Sequence, residues 1–210
     1  MAAENSAYGY DDRVFINCPF DEKYLPLFRA AIFTTYICGF CPISSLAEDN
    51  GLDSRMDKIF RIIEKYRYGI HDISRTELNP ARLPRFNMPF ELGFFYGARY
   101  FGNKHQKTKN ALILERKQYS HQQFLSDING IDLQAHENDP RKIIQHIRNW
   151  LCINSRRIDM PGINLIWANY LEFLSRLPEL CISMGFSSNK EIPFADYCNI
   201  VVGWLNKAYL

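Results

Sequence analysis

Three short runs of β-branched and aromatic residues, RVFIN (Arg13–Asn17), YGIHDIS (Tyr68–Ser74) and NALILE (Asn110–Glu115), alternate with segments whose apolar residues recur at helical spacing. That alternation constrains the fold more than any other feature of the chain. Alternation of strands and helices argues for a parallel sheet, whose strands need crossovers of a dozen or more residues, and such a sheet is covered on both faces. The expected class is therefore α/β: a Rossmann-like, mostly parallel sheet of four or five strands with helices on both faces. An antiparallel sandwich, or a helix over Gly69–Ile73, would contradict this reading. The strands are expected at Val14–Asn17, Gly69–Ile73 and Ala111–Leu114, with a further short one near Cys41–Ser45.

Between these runs, Tyr24 to Gly39 is apolar almost all round and reads as a helix covered by its neighbours. Asp53 or Ser54 is placed to cap a second helix, with Met56, Ile59, Phe60, Ile62, Ile63 and Tyr66 on one face and Arg55, Asp57, Lys58, Arg61, Glu64 and Lys65 on the other. Arg75 to Phe86 contains Pro80 and Pro84 and reads as a loop, after which Asn87 is expected to cap a third helix with Pro89 in its first turn. Past Asp139-Pro140 the chain turns helical: Arg141–Cys152, Ile163–Leu177 and Phe194–Tyr209. The expected organisation is a flexible start over 1–12, an α/β domain over 13–155 and a helical extension over 156–210. The apolar residues of that extension should pack on the core, on a second copy or on a partner protein.

The totals narrow the function. Of 210 residues, 47% are apolar and 14% aromatic, the composition of a chain with a packed core. A net charge of +2 advertises neither a nucleic-acid groove nor an anionic membrane surface. The longest apolar run, Ala30 to Ile43, is shorter than the ~20 residues a bilayer span needs. Met1–Tyr10 is small and polar, with no apolar segment of the secretory kind, and six scattered cysteines fit a reduced, cytoplasmic protein. The pair Cys38-Gly-Phe-Cys41 stands without a second pair or a histidine pair, so both cysteines read as small buried hydrophobes. Asp127, Asp132, His136 and Glu137 match no metal-ligand spacing.

In an open parallel sheet, ligands collect beyond the carboxyl ends of the strands. Asn17 to Asp21, Asp72 to Arg75 and Glu91 all arrive at that edge. Glu91 lies near the start of the helix NMPFELGFFYGAR, among Phe90, Leu92, Phe94 and Phe95. A carboxylate in such surroundings is a candidate catalytic group with a tunable pKa, whereas an acid that merely complements a helix dipole contributes only about 0.3–1 kcal/mol. Gly93 and Gly97, four apart, suggest close packing against that helix. Arg75 and Arg85 are candidates to hold a pyrophosphate, and Phe20 a ring, with Asn17, Asp21, Asp72 and Ser74 completing the candidate substrate contacts. His71 and Asp72, adjacent on a strand, are expected to point to opposite faces.

The segment VFINCPFDEKY with its following apolar helix resembles the opening of a TIR (Toll/interleukin-1 receptor) domain. KIFRIIEKYRYGIHDIS is similar to the TIR helix and strand that end in a serine, and NMPFELGFFYGA resembles the segment whose helix carries Glu-Leu. The likeness runs from about Arg13 to Gln134, with Asn17 where the family usually has a serine and no tryptophan-cysteine pair before Glu91. It implies cleavage of the nicotinamide–ribose bond of NAD, by hydrolysis or cyclisation, in a defence effector, with the essential glutamate at Glu91 and NAD as substrate rather than cofactor. The pattern E-L-G-x-x-x-G-A fits the nucleoside 2-deoxyribosyltransferases equally, which would imply a nucleoside N-glycosidase. A neutral base would then need a general acid, for which Asp72 or His71 is the candidate. A TIR-like module that only binds a nucleotide or a partner is the third expectation.

Overall fold

The structure, a computed structural model, describes residues 8–47, 50–75 and 85–208 of the chain. Five strands form one all-parallel sheet: β1 (Arg13–Asn17), β2 (Cys41–Ile43), β3 (Tyr68–Asp72), β4 (Asn110–Glu115) and β5 (Gln134–Ala135), in the order β2-β1-β3-β4-β5. Among the described residues, six α-helices accompany it: α1 (Leu25–Ile37), α2 (Arg55–Lys65), α3 (Asn87–Phe101), α4 (Pro140–Asn154), α5 (Ile163–Ser183) and α6 (Phe194–Ala208). This is the expected α/β, Rossmann-like architecture. β2 carries Pro42 at the edge of the sheet, where a missing ladder donor is tolerated.

Side-chain alternation along β1 assigns the two faces. Val14 and Ile16 join α1, α4, α5 and α6 in one core, whereas Phe15 joins Ile59, Ile62, Ile63 and Phe95 of α2 and α3 in another. Because Asn17 pairs with His71 in the parallel register, both residues fall on the α2/α3 face, and Asp72 falls on the α1 face. Gly69 is required on the α2/α3 face: a Cβ there would lie 2.6 Å from His71 Nε2 and 2.9 Å from Phe95 Cζ.

α1 is buried from Leu27 through Thr35, so its polar groups must find partners within the protein: Arg29 donates to the Asn189 carbonyl. The hydroxyls of Thr34 and Thr35 accordingly donate to the carbonyls of Ala30 and Ala31, at 2.7 and 2.8 Å. The carboxyl-terminal helices cover this helix: Phe33 packs 5.2 Å from Tyr170 and 5.3 Å from Phe173, and Phe28 stacks on Phe194. Ile166, Tyr170, Phe173, Leu177 and Val201 of the extension thus pack on the core. Among the described residues, no helix is long and apolar enough to cross a membrane.

α3 departs from the sequence expectation at its start. Phe86 occupies the cap position and Asn87 is the first helical residue, with no side-chain cap bond. Glu91 therefore stands one turn inside the helix rather than in its first turn, where the partial charge of the terminus has largely faded. The reading of Gly93 and Gly97 as close-packing positions is also corrected. A Cβ at Gly93 would meet nothing within 4 Å, and one at Gly97 only Phe101 at 4.0 Å, because that side of α3 faces outward. Residues 76–84 of the proline-containing loop lie outside the described residues.

Candidate functional site

With β1 central and its neighbours β2 and β3 reached in opposite directions, the topological crevice lies between the carboxyl ends of β1 and β3. A cleft of about 290 Å³ opens there, near the small end of the range for ligand pockets. The Cys18–Asp21 loop forms one wall, Asn87 and Met88 another, and Arg55, Arg75 and Arg85 line it as well. Among the described residues, three guanidiniums thus face a ligand-sized space. A smaller hollow of about 80 Å³ lies between α1 and α6, also bordered by Phe20 and Asp21. Its remaining lining is mostly apolar.

Arg75 donates from both Nε and a terminal nitrogen to the two oxygens of Asp21, each at 2.9 Å. This forked pair, with the Arg75 hydrogen bond foremost, holds the Asp21 carboxyl below its ordinary pKa. Arg55 contacts Glu91 differently. One terminal nitrogen donates to Oε1 at 2.9 Å, with the guanidinium 48% exposed and the carboxylate 3% exposed. Burial pushes the Glu91 carboxyl up, opposed by the charge and hydrogen bond of Arg55. Arg55 reaches this point because it is the first residue of α2, directly after Ser54. That serine accepts from the Asp57 amide at 3.1 Å while Asp57 accepts from the Ser54 amide, a closed capping box.

Beneath Glu91 the α2/α3 face holds a second polar group. Asn17 donates from Nδ2 to the Met88 carbonyl at 3.3 Å and lies 3.1 Å from His71 Nδ1. Since the amide is the donor, Nδ1 accepts and the imidazole proton sits on Nε2. His71 is fully buried, and burial, followed by the positive charge of Lys109, lowers its pKa to about 3. Lys109 is itself buried, donating to the carbonyls of Ile63 and Tyr66 and lying over the Phe95 ring. His71 thus carries a proton on one nitrogen only at neutral pH and is no general acid.

On the opposite face, Asp72 is fully buried, accepts from Tyr24 at 2.6 Å and from the Ser74 amide at 2.8 Å, and lies 3.0 Å from His136 Nε2. Ser74 Oγ lies 2.8 Å from the same His136 nitrogen, and His136 Nδ1 accepts from the Asn138 amide at 3.0 Å. The proton of His136 therefore resides on Nε2, which cannot act as a base toward Ser74. Serine, histidine and aspartate meet here, but as a buried brace between β3 and the segment after β5, not as a nucleophilic triad.

The structure brings Phe20, Asp21, Arg75 and Arg85 to the cleft wall. It sets Asn17 and Glu91 behind the wall on the α2/α3 side and buries Asp72 and Ser74 on the α1 side. His71 and Asp72 do point to opposite faces. Sequence reasoning missed Arg55, which it assigned to the solvated face of α2, although a helix following a strand in a parallel sheet begins at the ligand-binding edge. It also missed the brace from His136. The Cys38 and Cys41 thiols are buried, and burial raises Cys38 to about 12. Among the described residues, no three histidine, cysteine or acidic side chains gather to hold a metal ion. No protein-family model matches the chain, and no curated protein matches it.

Proposed function

We propose that the protein cleaves the N-glycosidic bond between nicotinamide and ribose in NAD or a closely related nicotinamide nucleotide, with Glu91 as the catalytic carboxylate. The observation that carries this reading is a nearly buried carboxylate set behind a cleft lined by three arginines, at the topological crevice of the sheet. The arginines suit a diphosphate, and the carboxylate suits the positive charge that develops at ribose C1′. In the reaction the C1′–N bond breaks with its electron pair leaving on nicotinamide, which departs neutral. A water then adds its hydroxyl to C1′ and releases a proton, or a nucleophile within the substrate closes a ring. NAD is a substrate here, not a resident cofactor, and the wider role implied by the resemblance is that of a defence effector acting with copies of itself or a partner.

Two observations favour this over a neutral nucleoside substrate. A neutral base leaves only with a proton, and neither candidate donor serves: Asp72 is fully buried on the other face of the sheet and held by Tyr24 and the Ser74 amide, and His71 is depressed to about 3. A cationic pyridinium needs no such donor. The deciding experiment incubates the purified protein with NAD, nucleosides and deoxynucleotides and follows free base by chromatography. Glu91→Gln should lower release of nicotinamide by about 10²-fold or more, the effect of losing a transition-state electrostatic contact, with an unchanged melting curve. A folded variant that works at nearly the wild-type rate would remove Glu91 from the chemistry and leave a nucleotide-binding module.

A further inference from the structure

We propose that Arg55 is a latch on Glu91 that the diphosphate of an incoming nucleotide releases, so that the carboxylate becomes available only when an anionic substrate occupies the cleft. This inference rests on the function proposed above and adds to it a requirement for phosphate in the substrate.

The geometry points to it in three ways. Glu91 does not line the cleft, whereas Arg55, which covers it, does. A ligand entering the cleft therefore meets the guanidinium before the carboxylate. The contact is also single-ended: one nitrogen of Arg55 reaches one oxygen of Glu91, whereas Arg75 grips Asp21 through two. The remaining donors of Arg55 are open to an anion, and an ion pair with one half-exposed member is weak enough to exchange for a phosphate, which presents more charge and more acceptors. Finally, the capping box of Ser54 and Asp57 fixes the backbone at Arg55, so the exchange requires only the side chain to swing. A carboxylate with a guanidinium at 2.9 Å is poorly placed to stabilise another cation. Removing that guanidinium restores its field to C1′.

The test uses the full chain labelled with carboxyl-¹³C glutamate, with the Glu91 resonance assigned through Glu91→Gln, and inorganic pyrophosphate as probe. In the wild type, pyrophosphate should move the Glu91 titration midpoint upward, because its cationic partner is drawn off. In Arg55→Met the midpoint should already be high, and pyrophosphate should move it much less. An unmoved midpoint in the wild type, or equal movement in both proteins, would overturn the latch. In the kinetic arm, Arg55→Met should raise KM for NAD about tenfold, as expected for one lost charged contact, while raising turnover of the phosphate-free riboside of nicotinamide. A parallel fall for both substrates would also overturn it. The carboxyl titration needs no catalysis. A latch response without release of base from any substrate sinks the glycosidase reading alone, and Glu91-dependent release with an unresponsive midpoint sinks the latch alone.

Discussion

Burial holds the His71 imidazole near a pKa of about 3, well under the 6.5 of the unfolded chain, and this makes one histidine a source of acid sensitivity. Between those two values the unfolded state binds a proton that the native state does not, so stability is full above pH 6.5 and declines as pH falls toward 3. At pH 5 the expected loss is about 2 kcal/mol from this group. Urea unfolding at pH 7.5 and pH 5 should show His71→Gln losing about 2 kcal/mol less than the wild type on acidification. An equal loss in both proteins would place the acid sensitivity elsewhere. Glu91 was legible in the sequence because one carboxylate among phenylalanines is conspicuous. Arg55 was not, because on a helix with five other charged residues nothing marks the one that turns inward. Its partner is 36 positions away, and only the packing of α2 on α3 brings them together.

At the scale of elements, glycine means different things on α3 and on β3. Gly93 is helical, exposed and free of neighbours, so Gly93→Ala should raise stability by about 0.5–1 kcal/mol through the backbone entropy of the unfolded chain. Gly69 sits against His71 and Phe95, so Gly69→Ala should cost about 1–3 kcal/mol by overpacking. Thermal melts of the two variants should therefore move in opposite directions. Spacing in the sequence cannot separate these cases, since Gly93 and Gly97 owe nothing to a partner helix. The central strands were legible because buried parallel strands are continuous apolar runs. β5 was not, because two residues carry no periodicity and its place depends on pairing with Leu114 and Glu115 of β4. The start of α3 was misplaced by one residue because Asn87 is a good cap chemically, yet Phe86 takes the cap position and Asn87 is already helical.

For the whole molecule, the central fact is that α1 has no face left for solvent. The sheet and α4 lie against part of it, and α5 and α6 against the rest, with Ile166, Tyr170, Phe173 and Val201 each essentially buried in the same cluster. Burying a large apolar side chain contributes about 1.5–3 kcal/mol, so these four together contribute about 6–12 kcal/mol, comparable to the whole 5–15 kcal/mol net stability of an ordinary domain. A chain ended after Ser155 should therefore fail to give the cooperative melt of the full protein and should bind a dye that reports exposed apolar surface. A truncated protein with a sharp, dye-silent transition would show the extension to be a separable addition. The connection between α4 and α5 runs differently. Residues 156–159 are exposed, and Arg157 ties them inward, through Asp12 at 2.7 Å and the face of Phe40. What unites the two parts is a matched pair of surfaces rather than the peptide that happens to join them. Two separately translated polypeptides meeting at α1 would assemble into the same molecule, and a gene split at this connection would still encode it.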